Sequence, residues 1–380
     1  MTLPPRLVLM AHASSELYGS DRVFLESVIA MVEAGWEVVV TLPQPGPLVD
    51  AVEKAGAMVS FCPTPVLRKA ALRPAGLLRL LAETVKGIAP AWRLLRNHYP
   101  DLVYVNTVTV PLWLPLARLA KAKVIAHVHE AEDAVPWPIR YALAWPLRFA
   151  DTVVVNSLAT FKVLMAAQQV LAGRMALVYN GVPGPAEAEV KQEPAKPLRI
   201  LLVGRVSPRK GTDVAVEAMT LLRRGGTRAN LDILGSVFPG YEWFEERVLE
   251  LIDAGLLRDS VRLNGFHSDV WEAYRNADIA IVPSLVEPFG NTSVEAQLAG
   301  VPVIVSDAQG LPETVDNGRF GTVVPAGDPA ALAAAIESLV EDWPATRERA
   351  ELAQRDAGVR FAVERYRQEI AGLADVLVVQ

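Results

Sequence analysis

The stretch GVPGPAEAEVKQEPAKPLRILLV, residues 181–203, contains the break on which the fold assignment depends. Its first part carries four prolines with Glu and Lys between them, namely Pro183, Pro185, Pro194 and Pro197. Proline fixes its own backbone and lacks an N–H donor, so this part is expected to continue neither a helix nor a sheet. The apolar run RILLV that follows predicts a buried strand. We therefore interpret residues 183–197 as a linker between two domains.

Short apolar strands alternate with helical stretches on both sides of this linker. The strands predicted before it are Leu7–Met10, Glu37–Leu42, Met58–Phe61, Leu102–Val105, Lys123–Val128 and Thr152–Asn156, and those after it are Arg199–Val203, Asn230–Leu234, Val261–Leu263, Ile279–Val282 and Val301–Val305. Continuous apolar strands separated by helices indicate parallel sheets covered on both faces. The pattern predicts an α/β fold with domains over 1–182 and 198–360 that face each other across a cleft. The last helix, about 361–380, is expected to pack back on the first domain.

Composition limits the class of protein. The 380 residues are 51% hydrophobic and 21% charged, which is typical of a globular chain. The single cysteine, Cys62, excludes an intramolecular disulfide and a four-thiolate metal site. Residues 1–6 run straight into a predicted strand, and no apolar run reaches the ~18 residues of a membrane span. We therefore expect no signal peptide and a cytoplasmic location.

Charge is distributed unevenly along the chain. The net charge of −6 combines +4 up to Asn180 with −10 beyond it. Residues 66–96 carry seven Lys and Arg against one acid, Glu83. A basic segment in an acidic protein favours a local anionic partner over nucleic acid. With Trp137 and Trp145 in the same domain, this segment predicts a helix that contacts an anionic membrane, the alternative being a solvated helix face.

The loop GRVSPRKG, residues 204–211, follows the strand RILLV. Because a helix is predicted to begin near Thr212, the cations Arg205, Arg209 and Lys210 lie at a strand-to-helix turn. Helix N-termini present N–H groups to anions, and both Arg and Lys bind phosphate. The loop matches neither G-x-x-x-x-G-K-[ST] nor G-x-G-x-x-G. It predicts a phosphate site or, alternatively, a solvated basic turn.

Two glutamates separated by seven residues, Glu287 and Glu295, flank the start of another predicted helix. The spacing of Thr292 and Glu295 is that of a capping box, which would give Glu295 a structural role. Glu287 precedes Pro-Phe-Gly in a rigid loop, where a carboxylate can accept hydrogen bonds from sugar or ribose hydroxyls. The alternative for Glu287 is an ordinary surface acid.

The histidines are the remaining candidates for chemistry. There are five of them, His12, His98, His127, His129 and His267. His127 and His129 share one face of a predicted strand, but without an H-E-x-x-H motif or a cysteine nearby they do not favour a metal site. Taken alone, either could be an ordinary core or loop histidine.

Together these motifs resemble those of the retaining glycosyltransferases of family 4, which belong to the group 1 glycosyltransferases and have the two-domain GT-B fold. The resemblance spans essentially the whole chain. The matching stretches are ELYGSDR (16–22), VYNGV (178–182), GRVSPRKG (204–211), EPFGNTSVEAQLAGVPVIVSD (287–307), GLPETV (310–315) and NGRFGTVV (317–324). The stretch Leu234-Gly235-Ser236 departs from the family, which often has a second glycine here for the base contacts.

The resemblance implies roles for individual residues. Diphosphate binding is expected of Arg205 and Lys210, and Arg209 is expected to matter little. Glu295 is expected to bind the ribose and Glu287 the donor sugar. Backbone N–H contacts to the sugar and phosphate are expected from Phe289, Gly290, Asn291 and Thr292. Gly19 is expected to allow close approach to the phosphate, and His129 to lie beside the reacting sugar. His127 is expected to orient this loop, and His12 to face the same site.

The activity that the resemblance implies is transfer of a hexose from a UDP- or GDP-sugar, with retention and without metal or cofactor. The expected acceptor is a glycan or a lipid-linked glycan in polysaccharide or glycolipid synthesis, at the inner face of the membrane. No Asp-x-Asp pair is present to hold a diphosphate-bound metal. The alternatives are a GT-B-like epimerase or phosphorylase and a non-catalytic scaffold that binds nucleotide sugars.

Overall fold

The computed structural model describes residues 6–67, 74–131, 135–237 and 240–379. The chain divides into two compact units. Unit 1 comprises residues up to Gly181 together with Val363–Gln380, and unit 2 comprises Val182–Ala362. Each unit has its own sheet and its own apolar core.

Both units alternate strands with helices. Unit 1 contains β1 (Leu7–Ala11), α1 (Gly19–Glu33), β2 (Glu37–Leu42), α2 (Pro47–Lys54), β3 (Met58–Phe61), α3 (Pro74–His98), β4 (Leu102–Asn106), α4 (Trp113–Leu119), β5 (Lys123–Val128), α5 (Trp137–Ala144), β6 (Thr152–Val155), α6 (Leu158–Ala167) and β7 (Met175–Leu177). Unit 2 contains β8 (Leu198–Val203), α7 (Thr212–Arg224), β9 (Ala229–Leu234), α8 (Glu242–Ala254), β10 (Val261–Leu263), α9 (Trp271–Asn276), β11 (Ile279–Val282), α10 (Asn291–Leu298), β12 (Val303–Ser306), α11 (Leu311–Thr314), β13 (Thr322–Val324), α12 (Pro329–Glu341) and α13 (Trp343–Arg360). The last helix, α14 (Val363–Val379), belongs to unit 1.

All strand pairs in the two sheets are parallel. Their orders are β3-β2-β1-β4-β5-β6-β7 and β10-β9-β8-β11-β12-β13. Each order reverses beside the first strand of its unit, between β1 and β4 in unit 1 and between β8 and β11 in unit 2. Ligands of doubly wound sheets bind beyond the carboxyl ends of the strands at such a switch point. The predicted α/β fold class with two Rossmann-like domains is confirmed.

Both faces of each sheet are covered, because successive side chains of a strand point to opposite faces. Leu9 and Ala11 of β1 pack into one core cluster, and Val8 and Met10 pack into the other. In unit 2, Ile200 of β8 likewise packs into the core cluster on one face of its sheet. The continuous apolar runs of the sequence therefore correspond to strands buried on two sides.

The proline-rich segment 182–197 contains no helix or strand, as its prolines predict. It is not a free tether, however. Lys191 donates to the carbonyl of Asn276 (2.7 Å) and to the fully buried carboxylate of Asp278 (2.8 Å), and the Ala195 N–H donates to the same carboxylate (3.1 Å). The indole of Trp343 donates to the Lys191 carbonyl (3.3 Å). These bonds hold the segment against the rest of unit 2.

The C-terminal helix α14 packs against α1 inside unit 1. The Tyr366 hydroxyl lies 2.6 Å from the Ser27 hydroxyl, and the Trp36 indole donates to Asp375 (3.0 Å). Arg367 forms an ion pair with Glu26 at 2.6 Å. The end of the chain is thereby part of the core of unit 1.

Candidate active site

At the switch point of unit 2, the loops that follow β8 and β11 are hydrogen-bonded to each other. The Leu285 N–H donates to the Arg209 carbonyl (2.8 Å), and the Arg209 guanidinium donates to the Val286 carbonyl (3.0 Å). Gly211 has a φ of +66°, and a Cβ there would lie 2.0 Å from the Pro283 carbonyl oxygen. Only glycine fits that approach, which brings Lys210 beside the loop after β11.

Lys210 and Glu287 meet at this switch point. The ammonium of Lys210 donates to Oε2 of Glu287, and the Ser284 hydroxyl lies 3.4 Å from the same oxygen. Glu287 is 8% exposed, and its backbone carbonyl accepts from the Gly310 N–H (3.0 Å). Lys210 and Glu287, for which the resemblance implied separate roles, thus share one buried site.

Burial alone would raise the pKa of Glu287, because it penalises the charged form. The positive charges of Lys210 and Arg209, followed by the hydrogen bonds from Lys210 and Ser284, outweigh this and lower the pKa. Glu287 is therefore an anion that holds a cation in a fixed place at neutral pH.

Arg209 is closer to this site than the sequence indicated. In addition to its bond to the Val286 carbonyl, its guanidinium lies 3.9 Å from Oε1 of Glu287. This contact arises because β8 and β11 lie side by side; that removal of Arg209 has a mild effect stays a prediction. Arg205 lies in the same loop, directly after Gly204.

Helix α10 begins beside Glu287, but not as the capping box predicted. Its N-cap is Gly290, with a φ of +110°. The helix begins at Asn291, so Thr292 lies inside the first turn and the capping-box prediction is wrong. Within the described chain, the buried Thr292 hydroxyl oxygen has no hydrogen-bond partner. Phe289 is buried against Phe361, with ring centroids 5.6 Å apart, and anchors the loop.

Glu295 faces a residue that the sequence did not single out. The hydroxyl of Tyr274 lies 3.2 Å from Oε2 of Glu295 and 3.1 Å from the Thr292 carbonyl oxygen. Tyr274 is buried, and burial followed by the charge of Glu295 raises its pKa well above the ordinary value. It is therefore a neutral donor that holds the carboxylate of Glu295 in place.

The switch point of unit 1 holds a different set of side chains. His12, just after β1, lies with Nε2 2.8 Å from the carboxylate of Asp21 in α1. Asn106, at the end of β4, lies 3.0 Å from Nδ1 of His12 and 2.9 Å from Nε2 of His129. Gly19 is the first residue of α1, two residues before Asp21.

The backbone around His129 is held as well. The carboxylate of Glu130 accepts from the Thr107 hydroxyl and from the N–H groups of Val108 (3.5 Å) and His129 (3.1 Å). Thr107 has a φ of +86°, which is rare for a β-branched residue. Such backbone strain is found where a site requires it.

His127 is fully buried, and its Nδ1 lies 2.6 Å from the Tyr104 hydroxyl. Burial, then the neighbouring His129, lowers its pKa well below the ordinary value. Burial also lowers the pKa of His129, to about 3, with a smaller effect from His12. Both rings are therefore neutral at pH 7. In the part of the chain that the structure describes, no three His, Cys, Asp or Glu side chains are grouped as a metal site.

Comparisons with known proteins give two family matches that divide at the boundary between the units. Residues 18–183 match the family model described as Glycosyltransferase Family 4, and residues 185–356 match the model described as Glycosyl transferases group 1. The chain belongs to these glycosyltransferases. Its fold is the GT-B fold, as the motifs implied.

Curated relatives of this glycosyltransferase include a glycogen synthase from Mycobacterium tuberculosis, 27% identical over 277 residues that cover 68% of the chain. A D-inositol 3-phosphate glycosyltransferase from Acidothermus cellulolyticus is 32% identical over 285 residues that cover 69% of the chain. The matched regions span 65% and 62% of the lengths of these relatives.

Among solved structures, the crystal structure of Anabaena HepE in complex with UDP-glucose has the same fold. Its TM-score is 0.82 at 21% identity, and the match covers 98% of this chain and all of that one.

Proposed function

We propose that the protein is a retaining, metal-independent glycosyltransferase that moves a hexose from a nucleotide diphosphate sugar to a glycan or lipid-linked acceptor. The observation that carries this proposal is the pair formed by Lys210 and the buried Glu287 at the switch point of unit 2. A solvated basic turn would not place its lysine against a buried carboxylate beside the start of a helix.

The donor diphosphate would lie beside Lys210 and the start of α10. As the bond between the sugar and the diphosphate breaks, negative charge grows on the leaving oxygens. Cations and helix N–H groups that are already oriented stabilise this charge without reorganising. Because Glu287 holds Lys210, the cation is in position before the donor arrives. The Thr292 hydroxyl adds a buried polar group that a ligand could satisfy.

The remaining residues each contact a different part of the donor. In this proposal Arg205 assists Lys210, Glu295 accepts hydrogen bonds from the ribose hydroxyls, and Glu287 accepts from the sugar. His129 contacts the sugar from unit 1, a role that rests on the family resemblance. The support for Glu295 is that Tyr274 fixes its carboxylate.

Transfer with retention would follow the front-face route of the family. The acceptor oxygen bonds to the anomeric carbon on the side from which the diphosphate leaves. The proton of the acceptor hydroxyl passes to an oxygen of the leaving diphosphate, so no protein nucleophile is required. The protein contributes orientation and charge stabilisation. UDP-glucose, the ligand of the HepE complex, is the first donor to test.

Contact with an anionic membrane is the second part of the proposal, and α3 supports it. The apolar side chains Leu78, Leu81 and Val85 recur along this helix at helical spacing and are 69%, 54% and 70% exposed. The exposed cations Arg79, Lys86, Arg93 and Arg96 lie on the same helix. Arg68, Lys69 and Arg73, the other charges of the predicted basic segment, lie outside the described residues.

An exposed apolar stripe accompanied by cations suits the headgroup region of an anionic bilayer at the inner face of the membrane. Trp137 and Trp145, at 56% and 44% exposure, are of the type found at that depth. None of the helices within the described ranges is long and apolar enough to cross a bilayer.

The experiment that tests the proposal is transfer from UDP- and GDP-hexoses to glycan and lipid-linked acceptors, followed by NMR of the new linkage. We expect the anomeric configuration of the donor in the product, with full activity in EDTA. Inversion at the anomeric carbon contradicts the retaining route. Activity lost in EDTA and restored by Mn²⁺ or Mg²⁺ contradicts metal independence.

A further inference from the structure

A chain of hydrogen bonds crosses the switch point of unit 1 and ends on the ring of His129. It runs from the carboxylate of Asp21 to Nε2 of His12 (2.8 Å), from Nδ1 of His12 to the amide nitrogen of Asn106 (3.0 Å), and from the amide oxygen of Asn106 to Nε2 of His129 (2.9 Å). His12, Asp21 and Asn106 are each at most 3% exposed. Water therefore does not compete for the bonds among these three residues.

The direction of each bond fixes where the protons are. An amide nitrogen only donates, so Nδ1 of His12 accepts and Nε2 of His12 carries the proton that goes to Asp21. An amide oxygen only accepts, so Nε2 of His129 carries a proton. In a neutral imidazole the other nitrogen then holds the lone pair, which for His129 is Nδ1.

The far end of the chain is anchored twice. Oδ1 of Asp21 faces His12, while Oδ2 accepts from the Tyr18 N–H (2.9 Å) at the start of α1. The His12 ring stacks on Phe24, with centroids 4.4 Å apart and planes 13° from parallel. The amide nitrogen of Asn106 faces this ring, and its amide oxygen faces His129.

We propose that Asp21, His12 and Asn106 are positioning residues that keep the proton of His129 on Nε2 and an acceptor lone pair on Nδ1. The use of that lone pair rests on the proposed function, in which the donor sugar lies beside His129. A neutral acceptor suits that place, because the sugar becomes oxocarbenium-like in the transition state. An imidazolium, or an N–H directed at the sugar, would oppose the developing positive charge.

The substitution Asp21→Asn tests this chain of hydrogen bonds. The amide oxygen of the new side chain takes the Tyr18 N–H, which leaves its NH₂ group facing Nε2 of His12. His12 must then carry its proton on Nδ1, and the Asn106 amide must reverse so that its oxygen accepts from that N–H. The amide nitrogen of Asn106 then donates to Nε2 of His129. We expect the proton of His129 to move to Nδ1, three side chains from the substitution. The first turn of α1 keeps its hydrogen bond, so the fold is retained.

The measurement is nitrogen NMR of the protein with ¹⁵N-labelled histidine, in which the His129 signals are identified by their loss in His129→Gln. Wild type is expected to show a protonated Nε2 and an acceptor Nδ1, and Asp21→Asn the reverse. Asn106→Asp should keep the wild-type form of His129, because a carboxylate still accepts from Nε2. Asp50→Asn, which changes an exposed acid in the first turn of α2, is the matched control and should change nothing.

Kinetics give a second readout. We expect kcat to fall about tenfold in Asp21→Asn, which is about 1.4 kcal/mol. The Kd for UDP should stay within about twofold, the equivalent of less than 0.5 kcal/mol. A His129 ring that keeps its proton on Nε2 in Asp21→Asn overturns the proposal. If the tautomer moves but the wild type transfers no sugar from any donor, the proposed function fails and the positioning of His129 stands.

Discussion

The two switch points of the molecule have the same topology and different chemistry. In unit 2 the loops after β8 and β11 bring together charged groups, a lysine and an arginine around one buried carboxylate. In unit 1 the loops after β1, β4 and β5 bring together histidine rings and an amide, with the carboxylates of Asp21 and Glu130 beside them. A parallel sheet thus fixes where a site lies, and the loop residues decide what it can hold.

This difference matches the two halves of a glycosyl transfer. A diphosphate requires fixed positive charge, which unit 2 supplies. A sugar that gains positive charge is favoured by hydrogen-bond acceptors, and we propose that His129 of unit 1 is one of them. We therefore propose that the diphosphate binds to unit 2.

Lys210→Ala should have the largest effect of any single change. It removes the cation and leaves Glu287 buried without its main partner. We expect kcat to fall on the order of 10²–10³-fold, as when one preorganised donor to a transition state is removed. Steady-state kinetics with one donor measure this. Arg224→Ala, which removes an exposed cation of α7, is the control and should keep the wild-type rate. Equal loss in both variants would contradict a specific role for Lys210.

Gly211→Ala should disrupt the connection between the two loops of unit 2. The new Cβ would meet the Pro283 carbonyl oxygen, in addition to the strain of a positive φ. We expect a loss of about 3 kcal/mol in the free energy of unfolding, at the upper end for backbone strain. Gly226→Ala is the matched control, since its φ is +89° and no atom of the described residues lies within 4 Å of the new Cβ. It should lose about 1 kcal/mol, the strain of the left-handed region alone. Equal melting temperatures for the two variants would show that the loops are not in contact.

Lowering the pH should weaken unit 1 before unit 2. Burial holds the pKa values of His127 and His129 below the ordinary 6.5, so below pH 6.5 the unfolded chain takes up protons that the folded chain does not. The free energy of unfolding should therefore fall by up to about 1.4 kcal/mol per pH unit for each histidine. Burial raises the pKa of Glu130 in the same unit, so the folded chain takes up that proton first and part of the loss is offset. The pKa of Glu287 is lowered from 4.5, so its contribution is retained at pH 5 and lost only on further acidification.

Hydrogen exchange resolved by unit, between pH 6.5 and 5, separates the two effects. We expect protection to fall in unit 1 and to hold in unit 2, with a smaller fall for His129→Gln. His267→Gln, which changes an exposed histidine of unit 2, should match wild type. A uniform fall across both units would contradict the assignment of neutral histidines to unit 1.

Membrane contact would extend the comparison, because only unit 1 carries the exposed stripe of α3. Lys86→Gln should weaken binding to anionic vesicles by about 1 kcal/mol, with the difference shrinking in high salt. Co-sedimentation with vesicles that contain an acidic phospholipid measures this. Arg224→Gln, the matched change in unit 2, should bind as wild type does. Equal binding by both variants would remove α3 as the contact.

Local pattern was enough to predict most of the sheets. The bounds predicted for Glu37–Leu42, Lys123–Val128 and Ile279–Val282 are those observed, because strands buried on both faces are continuous apolar runs bounded by polar residues. The edge strands β7 and β13 were missed. Each has three residues and is only partly buried, so little apolar sequence marks it.

The sites were predicted less completely, for a physical reason. The sequence singled out Lys210 and Glu287 separately, but the bond between them joins positions 77 residues apart. Arg209 gained its contact with Glu287 through the same pairing of strands, whereas Tyr274 of α9 meets Glu295 of α10. The capping box at Thr292 failed because Gly290 adopts a left-handed conformation and starts the helix earlier. Asn106 belongs to none of the motifs, and Asp21 lies within ELYGSDR but was given no role there.

The division of roles between the two switch points is tested most directly by isothermal titration of UDP and GDP into wild type, Lys210→Ala and His129→Gln. We expect one of the two nucleotides to bind the wild type. Lys210→Ala should bind it at least about tenfold more weakly, the equivalent of about 1.4 kcal/mol, and His129→Gln should bind it as wild type does. Affinity that is unchanged in Lys210→Ala, or lost equally in both variants, would contradict the assignment of the diphosphate to unit 2.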